Sequence, residues 1–388
     1  MKVAIPRERR NGETRVAAVP ETVKKLLGLG LSEPKVVVET GAGAAASFTD
    51  RAYTDAGAEI AGDYGETVAG ADVVLKARGP ITAEEDPAGE EISALPSGAV
   101  LIAMFDVHQA GGTIRACADA GVHAFAMELM PRITRAQAMD VLSSQANLAG
   151  YRAVIDCAQH FGRAFPLMMT AAGTVPPAKV LVMGAGVAGL QAIATAGRMG
   201  ASVNATDVRP AVKEQVESLG AKFVAVEDEE FREAEAAGGY AKEMSEAYKQ
   251  KQAELIGETV PKQDIVITTA QVPGRKAPQL VSADMVASMK AGSVIADLAS
   301  AQGGNVALTE PDSVSVQHDV TILGHTNWPA RIPVSASSLY ARNLVSFLKL
   351  MVDAEGALIP AGEDTLLTGT RLTGGGEIVH PDFQASGS

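Results

Sequence analysis

Short apolar runs alternate with amphipathic segments through the N-terminal third of the chain. Strands are predicted for the runs at residues 2–6, 35–40, 71–77, 97–105 and 121–129. Helices are predicted for the segments at residues 21–30 and 52–60. Strands that alternate with helices in this way are typical of a parallel sheet with helices on both faces. We therefore expect residues 1–135 to form an N-terminal α/β domain.

A second alternating pattern follows one long helical segment. Residues 136–162 have the spacing of a single helix, which we expect to link the first domain to a Rossmann-like domain that occupies residues 136–329. Strands of that domain are predicted at residues 180–183, 222–226, 264–270, 293–299 and 320–325. Residues 330–388 contain one more amphipathic helix and a glycine-rich tail, which we expect to return to the first domain. The predicted architecture is α/β, with two Rossmann-like parallel-sheet domains separated by a cleft and linked by long helices.

The linking segment carries an unusual number of polar side chains. One arc of its helical wheel contains Gln137, Asp140, Ser144, Asn147 and Tyr151. The opposite arc contains Leu142, Ala146, Ala149 and Ala153. This pattern alone leaves two interpretations open. The polar stripe either satisfies backbone groups where two domains meet, or faces a ligand.

A glycine-rich turn between a predicted strand and a predicted helix indicates a dinucleotide site. The motif consists of Gly184, Gly186 and Gly189 in G-x-G-x-x-G spacing, with Val187 and Ala188 inside it. Such glycines permit a tight turn and let a pyrophosphate approach the N-terminus of the following helix. Gly41 and Gly43 also follow a predicted strand, but no acid stands at the end of the next strand, so we interpret this pair as a turn.

The strand after the motif ends at Asp207. An acid at this position binds the hydroxyls of the adenosine ribose and repels a 2′-phosphate, so the chain is expected to prefer NAD(H) to NADP(H). Val208 and Arg209 follow directly and belong to the predicted site, although the charge of Arg209 argues against the preference. Ligands of open α/β sheets bind beyond the carboxyl ends of the strands. The residues at those ends that are predicted to frame the nicotinamide are Thr269, Ala270, Gln271, Leu298 and Asn327.

Composition narrows the class of protein further. The 388 residues are 47% hydrophobic and 20% charged, and their net charge of -13 argues against direct binding to nucleic acid or to an anionic membrane surface. Cys117 and Cys157 are expected to be reduced core thiols of a cytoplasmic protein, and the dispersed histidines indicate no metal site. The N-terminus, MKVAIPRERR, lacks the apolar stretch of a signal peptide. The uncharged run at 180–197 contains the glycine turn and therefore does not predict a membrane span.

Several long motifs occur in the order of a known family. The N-terminal KVAIPRERRNGETRVAAVPETV resembles the alanine dehydrogenase and pyridine nucleotide transhydrogenase superfamily. Four further motifs are similar to those of the NAD(H)-binding component of proton-translocating transhydrogenase, namely MELMPRITRAQAMDVLSSQANLAGYRAV, TAAGTVPPAKVLVMGAGVAGLQAIATA, GGYAKEMS and GHTNWPAR. The resemblance extends from residue 1 to about residue 350 and, more loosely, to the end.

The resemblance implies an NAD(H)-binding subunit that is peripheral on the cytoplasmic face of the inner membrane and forms a homodimer. A partner domain would bind NADP(H), membrane-spanning subunits would pass protons, and hydride would move directly between the two nicotinamides. The residues that correspond to the family's nicotinamide contacts are Arg132, Gln137, Asp140 and Ser143. The ribose-binding acid corresponds to Asp207, and the tyrosine of the family's mobile loop to Tyr240, beside Gly239.

Alanine dehydrogenase activity and non-catalytic NAD(H) binding are the alternatives. The dehydrogenases bind a substrate carboxylate through an arginine and a lysine that correspond to Arg15 and Lys76, and both are present. Their chemistry also needs proton transfer, but Asp106 and Ala301 stand where the dehydrogenases have a histidine and an aspartate, and His108 is two residues away. A non-catalytic module would bind NAD(H) without transferring hydride. In a transhydrogenase, Arg15 and Lys76 would either line the interdomain cleft or be simple surface charges.

Overall fold

The computed structural model of the chain describes residues 1–233, 245–272 and 274–384. The backbone forms two compact units. The first unit comprises Met1–Gln145 and Ala330–Ser388, and the second comprises Ala146–Pro329. Each unit is built on its own sheet.

The sheet of the first unit is parallel throughout its described residues. Its strands are β1 (Lys2–Ile5), β2 (Lys35–Glu39), β3 (Glu59–Ala61), β4 (Val73–Arg78), β5 (Val100–Met104) and β6 (His123–Ala126). The helices between them are α1 (Pro20–Leu27), α2 (Asp50–Asp55), α3 (Tyr64–Val68) and α4 (Gly111–Asp119). The spatial order is β3-β2-β1-β4-β5-β6, which is the order of a doubly wound Rossmann-like sheet.

The strands of this sheet are buried on both faces. Val3 and Ile5 pack in one apolar cluster and Ala4 in another, because successive side chains of a strand point to opposite faces. Leu75 and Val74 of β4 divide between the same two clusters. A strand that is covered on both sides has a continuous apolar sequence instead of an alternating one, which is why these runs are easy to recognise.

Helix α5 (Val141–His160) begins in the first unit and ends in the second. It starts later than the predicted helix 136–162, because Thr134–Met139 forms a separate 3-10 helix and the backbone of Asp140 is extended, with φ -73° and ψ 90°. The polar positions before residue 141 therefore do not belong to the α-helix. The predicted apolar arc is also wrong at Leu142, which is 44% exposed.

The second unit contains a short hairpin and a larger sheet. Its strands are β7 (Met168–Thr170), β8 (Gly173–Val175), β9 (Lys179–Met183), β10 (Ser202–Thr206), β11 (Lys222–Phe223), β12 (Ile265–Thr268), β13 (Val294–Asp297), β14 (Val314–Gln317) and β15 (Val320–Leu323). Its helices are α6 (Val187–Arg198), α7 (Lys213–Ser218), α8 (Glu229–Glu233), α9 (Glu246–Thr259) and α10 (Ala283–Ala287). Strands β7 and β8 form the hairpin, and the large sheet has the order β11-β10-β9-β12-β13-β15-β14, with β14 antiparallel to β15. The prediction of two Rossmann-like parallel sheets is confirmed.

The chain then returns to the first unit. It forms α11 (Pro333–Leu348), α12 (Thr365–Thr368) and the predicted hairpin of β16 (Thr373–Gly374) and β17 (Glu377–Ile378). Helix α11 buries Tyr340, Leu344 and Phe347 in an apolar cluster that also contains residues of β1 and β4. The hydroxyl of Tyr340 donates to the carbonyl oxygen of Lys76 at 2.9 Å. Helix α11 is therefore part of the core of this unit.

The sequence patterns miss strand β3, the hairpin of β7 and β8, and strand β14. The predicted helix 52–60 is wrong after Asp55, because Gly57 takes a φ of 100° and Glu59–Ala61 pairs with β2. These strands have three or four residues each, which is too short for a period to be recognised.

Two expectations from composition can be compared with the structure. Cys117 and Cys157 are both free thiols and both buried, and burial raises the pKa of Cys117 to about 12. Within the described ranges, no helix combines the length and the apolar character that a membrane span requires.

Candidate functional site

The turn between β9 and α6 contains the three motif glycines. Gly184 has a φ of 104°, which side chains rarely tolerate, and its N–H donates to the carbonyl oxygen of Thr206 at 2.8 Å. A Cβ atom on Gly189 would lie 1.8 Å from the carbonyl oxygen of Gly184. The hydroxyl of Thr269 donates to that same oxygen at 3.0 Å. Only glycine at position 189 therefore lets α6 approach the turn this closely.

Gly186 has a different environment from the other two glycines. A Cβ atom at Gly186 would meet no heavy atom within 4 Å, and this residue is the N-cap of α6 without a side-chain cap. The first turn of a helix exposes N–H groups, here including those of Val187 and Ala188, and its dipole favours negative charge. The open space beside Gly186 and the exposed first turn of α6 fit the pyrophosphate of a dinucleotide.

Asp207, directly after β10, joins the turn to Arg209. Its Oδ2 accepts the N–H of Ala185 at 2.7 Å, which holds the glycine turn in place. Arg209 donates through its backbone N–H and Nε to Oδ1, at 2.8 and 2.9 Å, and through Nη2 to Oδ2 at 2.9 Å. A carboxylate offers about four lone-pair sites, so these donors occupy the acceptor capacity of Asp207. Ribose hydroxyls would therefore compete with the guanidinium of Arg209 for this acid.

The loops after β12 and β13 are connected by side-chain amides. Asn305 accepts the N–H of Ala270 at 3.1 Å, and its Nδ2 donates to the carbonyl oxygens of Ala270 and Pro278 at 2.9 and 2.7 Å. The Nε2 atom of Gln271 donates to the carbonyl oxygen of Leu298 at 2.8 Å. The sequence prediction includes Ala270, Gln271 and Leu298 but misses Asn305. The signal that could have found it is its place directly after two glycines that follow a buried strand.

Asp297, the last residue of β13, is a second residue that the sequence prediction misses. It is fully buried, and its carboxylate accepts hydrogen bonds from Thr268 Oγ1, Ala299 N, Asn305 N, Val306 N and Thr309 Oγ1. The Nε1 atom of Trp328 donates to the carbonyl oxygen of Asp297 at 3.3 Å. Asn327, which was predicted as a site residue, is half-buried directly before this tryptophan. Asp297 therefore organises the carboxyl ends of the strands.

The four predicted nicotinamide contacts lie in the first unit around the start of α5. Arg132 and Gln137 are exposed, and Gln137 belongs to the 3-10 helix Thr134–Met139. Asp140 caps α5, because its Oδ1 accepts the N–H of Ser143 at 2.8 Å and its Oδ2 accepts the hydroxyl of Ser143 at 2.5 Å. Asp140 and Ser143 are thus bonded to each other, and the cap gives Asp140 a structural role.

Arg15 and Lys76 are buried, so their interpretation as surface charges is wrong. Arg15 donates to Glu13 at 2.6 Å and to Oε1 of Gln145 at 3.0 Å. Lys76 lies 2.8 Å from Glu91 and 3.5 Å from Glu8. Burial alone would lower the pKa of Lys76, but the carboxylates of Glu8 and Glu91 outweigh it and raise that pKa. Both cations are therefore paired within the first unit.

The positions at which alanine dehydrogenases transfer protons carry different groups. Asp106 is exposed with a φ of 59°, and its N–H donates to Glu128 Oε1 at 2.6 Å. Ala301 and His108 are also exposed. Alanine cannot take or give a proton, and no described contact holds Asp106 or His108 in a preorganised acid–base pair.

Three further predictions can be placed. Gly41 has a φ of 72°, and a Cβ atom on Gly43 would lie 2.7 Å from the ring of Tyr53, so this glycine pair forms a turn as predicted. Val208 is exposed beside Asp207. Gly239 and Tyr240 lie outside the described residues.

Comparisons with known proteins cover nearly the whole chain. Residues 4–149 match the family model "Alanine dehydrogenase/PNT, N-terminal domain", and residues 153–381 match "Alanine dehydrogenase/PNT, C-terminal domain". The chain is 55% identical over 389 residues to an NAD(P) transhydrogenase subunit alpha chain of Rhodospirillum rubrum, and the match covers 100% of both chains. It is 32% identical over 344 residues to the alanine dehydrogenase of Mycobacterium tuberculosis, covering 87% of this chain and 84% of that one.

A solved structure gives the same result for the fold. The crystal structure of a transhydrogenase from Sinorhizobium meliloti superposes with a TM-score of 0.87 at 53% sequence identity. The match covers 98% of this chain and 100% of that one.

Proposed function

The chain belongs to the alanine dehydrogenase/PNT family, and on that premise we propose that it is the NAD(H)-binding alpha subunit of a proton-translocating NAD(P) transhydrogenase. In this proposal hydride passes directly between NAD(H) on this chain and NADP(H) on a partner domain. Membrane-spanning subunits couple that transfer to proton movement and hold this chain at the cytoplasmic face of the inner membrane. The observation that carries the proposal is the glycine turn, which is shaped for a pyrophosphate in a chain 55% identical to a transhydrogenase subunit.

The residues of the turn would bind the adenosine half of NAD(H). The N–H groups at the start of α6 would orient the pyrophosphate, with Gly186 leaving room for it and Gly189 keeping the helix close. Asp207 would bind the adenosine ribose and disfavour a 2′-phosphate. Val208 and Arg209 would flank that ribose. NAD(H) preference follows from the carboxylate.

The nicotinamide would be positioned without acid–base catalysis. When bound, NAD(H) supplies the hydride donor or acceptor at its nicotinamide ring. Arg132, Gln137, Asp140 and Ser143 would hold the ring and its ribose, and the loops after β12 and β13 would orient it. Hydride exchange between two nicotinamides requires orientation and exclusion of water, and it requires no proton transfer. The replacement of the dehydrogenases' histidine and aspartate by other residues is consistent with this chemistry.

Homodimer formation is part of the proposal. Leu167, Met168 and Met169, on and beside the hairpin of β7 and β8, are 56%, 44% and 80% exposed. Contiguous exposed apolar side chains are typical of protein interfaces. We expect a dimer in sedimentation equilibrium and a shift towards monomer in Met169→Asp, with Val316→Asp, which changes an exposed valine on β14, as the matched control. A wild-type monomer at micromolar concentration would contradict dimer formation.

Cyclic hydride transfer tests the function directly. The chain is mixed with an NADP(H)-loaded partner domain, NADH and an oxidised NAD analogue whose reduction has its own absorbance. We expect reduction of the analogue only when both proteins and NADP(H) are present. NADH binding without any transfer would leave the chain a binding module. Alanine-dependent reduction of NAD⁺ by the chain alone would instead establish an alanine dehydrogenase.

A further inference from the structure

The bend before α5 is held from a distant segment of the first unit. On one side of the bend lies the 3-10 helix Thr134–Met139, which carries Gln137. On the other side lies the first turn of α5, which carries Ser143. Asp140 at the bend caps α5 but does not itself fix how the two segments are oriented. Their orientation determines where the proposed nicotinamide contacts point.

Asn343 of α11 contacts both sides of this bend. Its Nδ2 donates to the carbonyl oxygen of Ala138 at 2.8 Å, and its Oδ1 accepts the hydroxyl of Ser144 at 2.8 Å. The side chain is buried, so water cannot readily replace either hydrogen bond when it is lost. One amide therefore sets the separation between the 3-10 helix and the start of α5.

A second pair of contacts holds the first turn of α5 against the same helix. The Nε2 atom of Gln145 donates to the carbonyl oxygen of Ala336 at 3.2 Å and to the hydroxyl of Ser144 at 3.3 Å. Its Oε1 accepts a hydrogen bond from Arg15 at 3.0 Å, and Arg15 is in turn paired with Glu13. This network explains why Gln145 and Ser144 are polar: they attach α5 to α11 in the first unit.

We propose that Asn343 is a positioning residue that aligns Gln137, Asp140 and Ser143 for contact with the nicotinamide. The inference rests on the proposed function, because it assumes that these residues meet that ring. Asn343 acts only through Ala138 and Ser144.

Paired ligands separate this role from general stability. NADH contains the nicotinamide, whereas ADP-ribose contains only the portion that the glycine turn is proposed to bind. For Asn343→Leu, which removes both hydrogen bonds, we expect NADH affinity to fall by about tenfold or more, since displacement of a positioning group by about 1 Å can cost up to 10². ADP-ribose affinity should stay unchanged. Ser144→Ala, which removes only one of the two bonds, should show a smaller loss of NADH affinity.

Two further variants keep the inference testable. Asn343→Asp has the same shape and still accepts from Ser144, but it places an oxygen against the carbonyl of Ala138, so it provides the same test if the leucine variant folds poorly. Ser337→Ala is the matched control, because the buried Ser337 hydroxyl on the same helix accepts the N–H of Val16 at 3.1 Å, and its described contacts involve neither side of the bend. It should leave both affinities unchanged.

The measurements are calorimetric titrations of the full-length chain with NADH and ADP-ribose, with thermal unfolding of each variant alongside. A selective loss for NADH in the Asn343 variants supports the inference. Equal losses for both ligands, or unchanged NADH affinity in folded Asn343→Asp, overturn it. A wild-type chain that binds neither ligand refutes the proposed function itself, and one that binds both equally removes the ring contact that Asn343 is said to align.

Discussion

Alanine at position 189 would place a Cβ atom 1.8 Å from the carbonyl oxygen of Gly184. Contacts of this kind below 3.0 Å are essentially never seen, so the two segments would have to separate by more than about 1 Å. The turn cannot yield freely, because the Gly184 carbonyl also accepts from Thr269 and the next residue, Ala185, is bonded to Asp207. Helix α6 and the turn would therefore shift relative to each other.

The cost of this shift follows from two general magnitudes. Overpacking of a close contact destabilises a protein by about 1–3 kcal/mol. Displacing a binding group by about 1 Å costs up to roughly 100-fold in the function it supports, which corresponds to about 2.7 kcal/mol. For Gly189→Ala we therefore expect a lower free energy of unfolding and an NADH affinity that is lower by about 100-fold.

Two other glycines of the same segment supply matched variants. Gly186→Ala introduces a Cβ atom with no heavy atom within 4 Å, so the protein should keep its stability while a pyrophosphate at this position is obstructed. Gly197→Ala, later in α6, brings its Cβ no closer than 4.0 Å to another residue, and should leave binding unchanged while stabilising the helix by up to about 1 kcal/mol.

Urea unfolding and NADH fluorescence titration of the three variants distinguish the two effects. We expect loss of stability and binding for Gly189→Ala, loss of binding alone for Gly186→Ala, and neither for Gly197→Ala. Wild-type NADH affinity in Gly186→Ala would refute the placement of the pyrophosphate. Wild-type stability in Gly189→Ala would refute the close packing of α6 on the turn.

Further predictions concern charge and burial. Asp207→Asn should weaken NADH binding and raise the NADPH-to-NADH affinity ratio in titrations, because Arg209 is released from its carboxylate partner; an unchanged ratio would contradict this. Lys76→Met should lower the free energy of unfolding in urea by about 3–5 kcal/mol, since two buried glutamates lose their cation, and a loss below about 1 kcal/mol would show that the charge is not needed. Burial raises the pKa of Cys117 from 9.0 to about 12, so the unfolded thiol ionises first and stability falls as pH rises from about 9 to about 12, by up to about 1.4 kcal/mol per pH unit for this group. Thermal unfolding across that range should show a shallower decline in Cys117→Ala than in the wild type, and identical slopes would rule out this thiol as a contributor.

Local patterns predicted the two sheets and the glycine turn. Strands buried on both faces have continuous apolar runs, and the spacing of Gly184, Gly186 and Gly189 reflects contacts within a few residues of the chain. Where local order is interrupted, the prediction is wrong. The helix at 136–162 breaks at Asp140, and the helix at 52–60 gives way to strand β3 after Gly57.

The sequence by itself therefore determined the fold class, the dinucleotide turn and the family motifs, because each depends on residues that are neighbours in the chain. Only the tertiary structure decided the partners of the charged and amide side chains. It shows that Lys76 is buried with Glu91, that Arg209 occupies the carboxylate of Asp207, and that Asn343 bridges a bend far from it in the sequence. Such pairings require segments that are distant in the chain to pack at fixed distance and orientation, and a pattern of residue types does not specify that geometry.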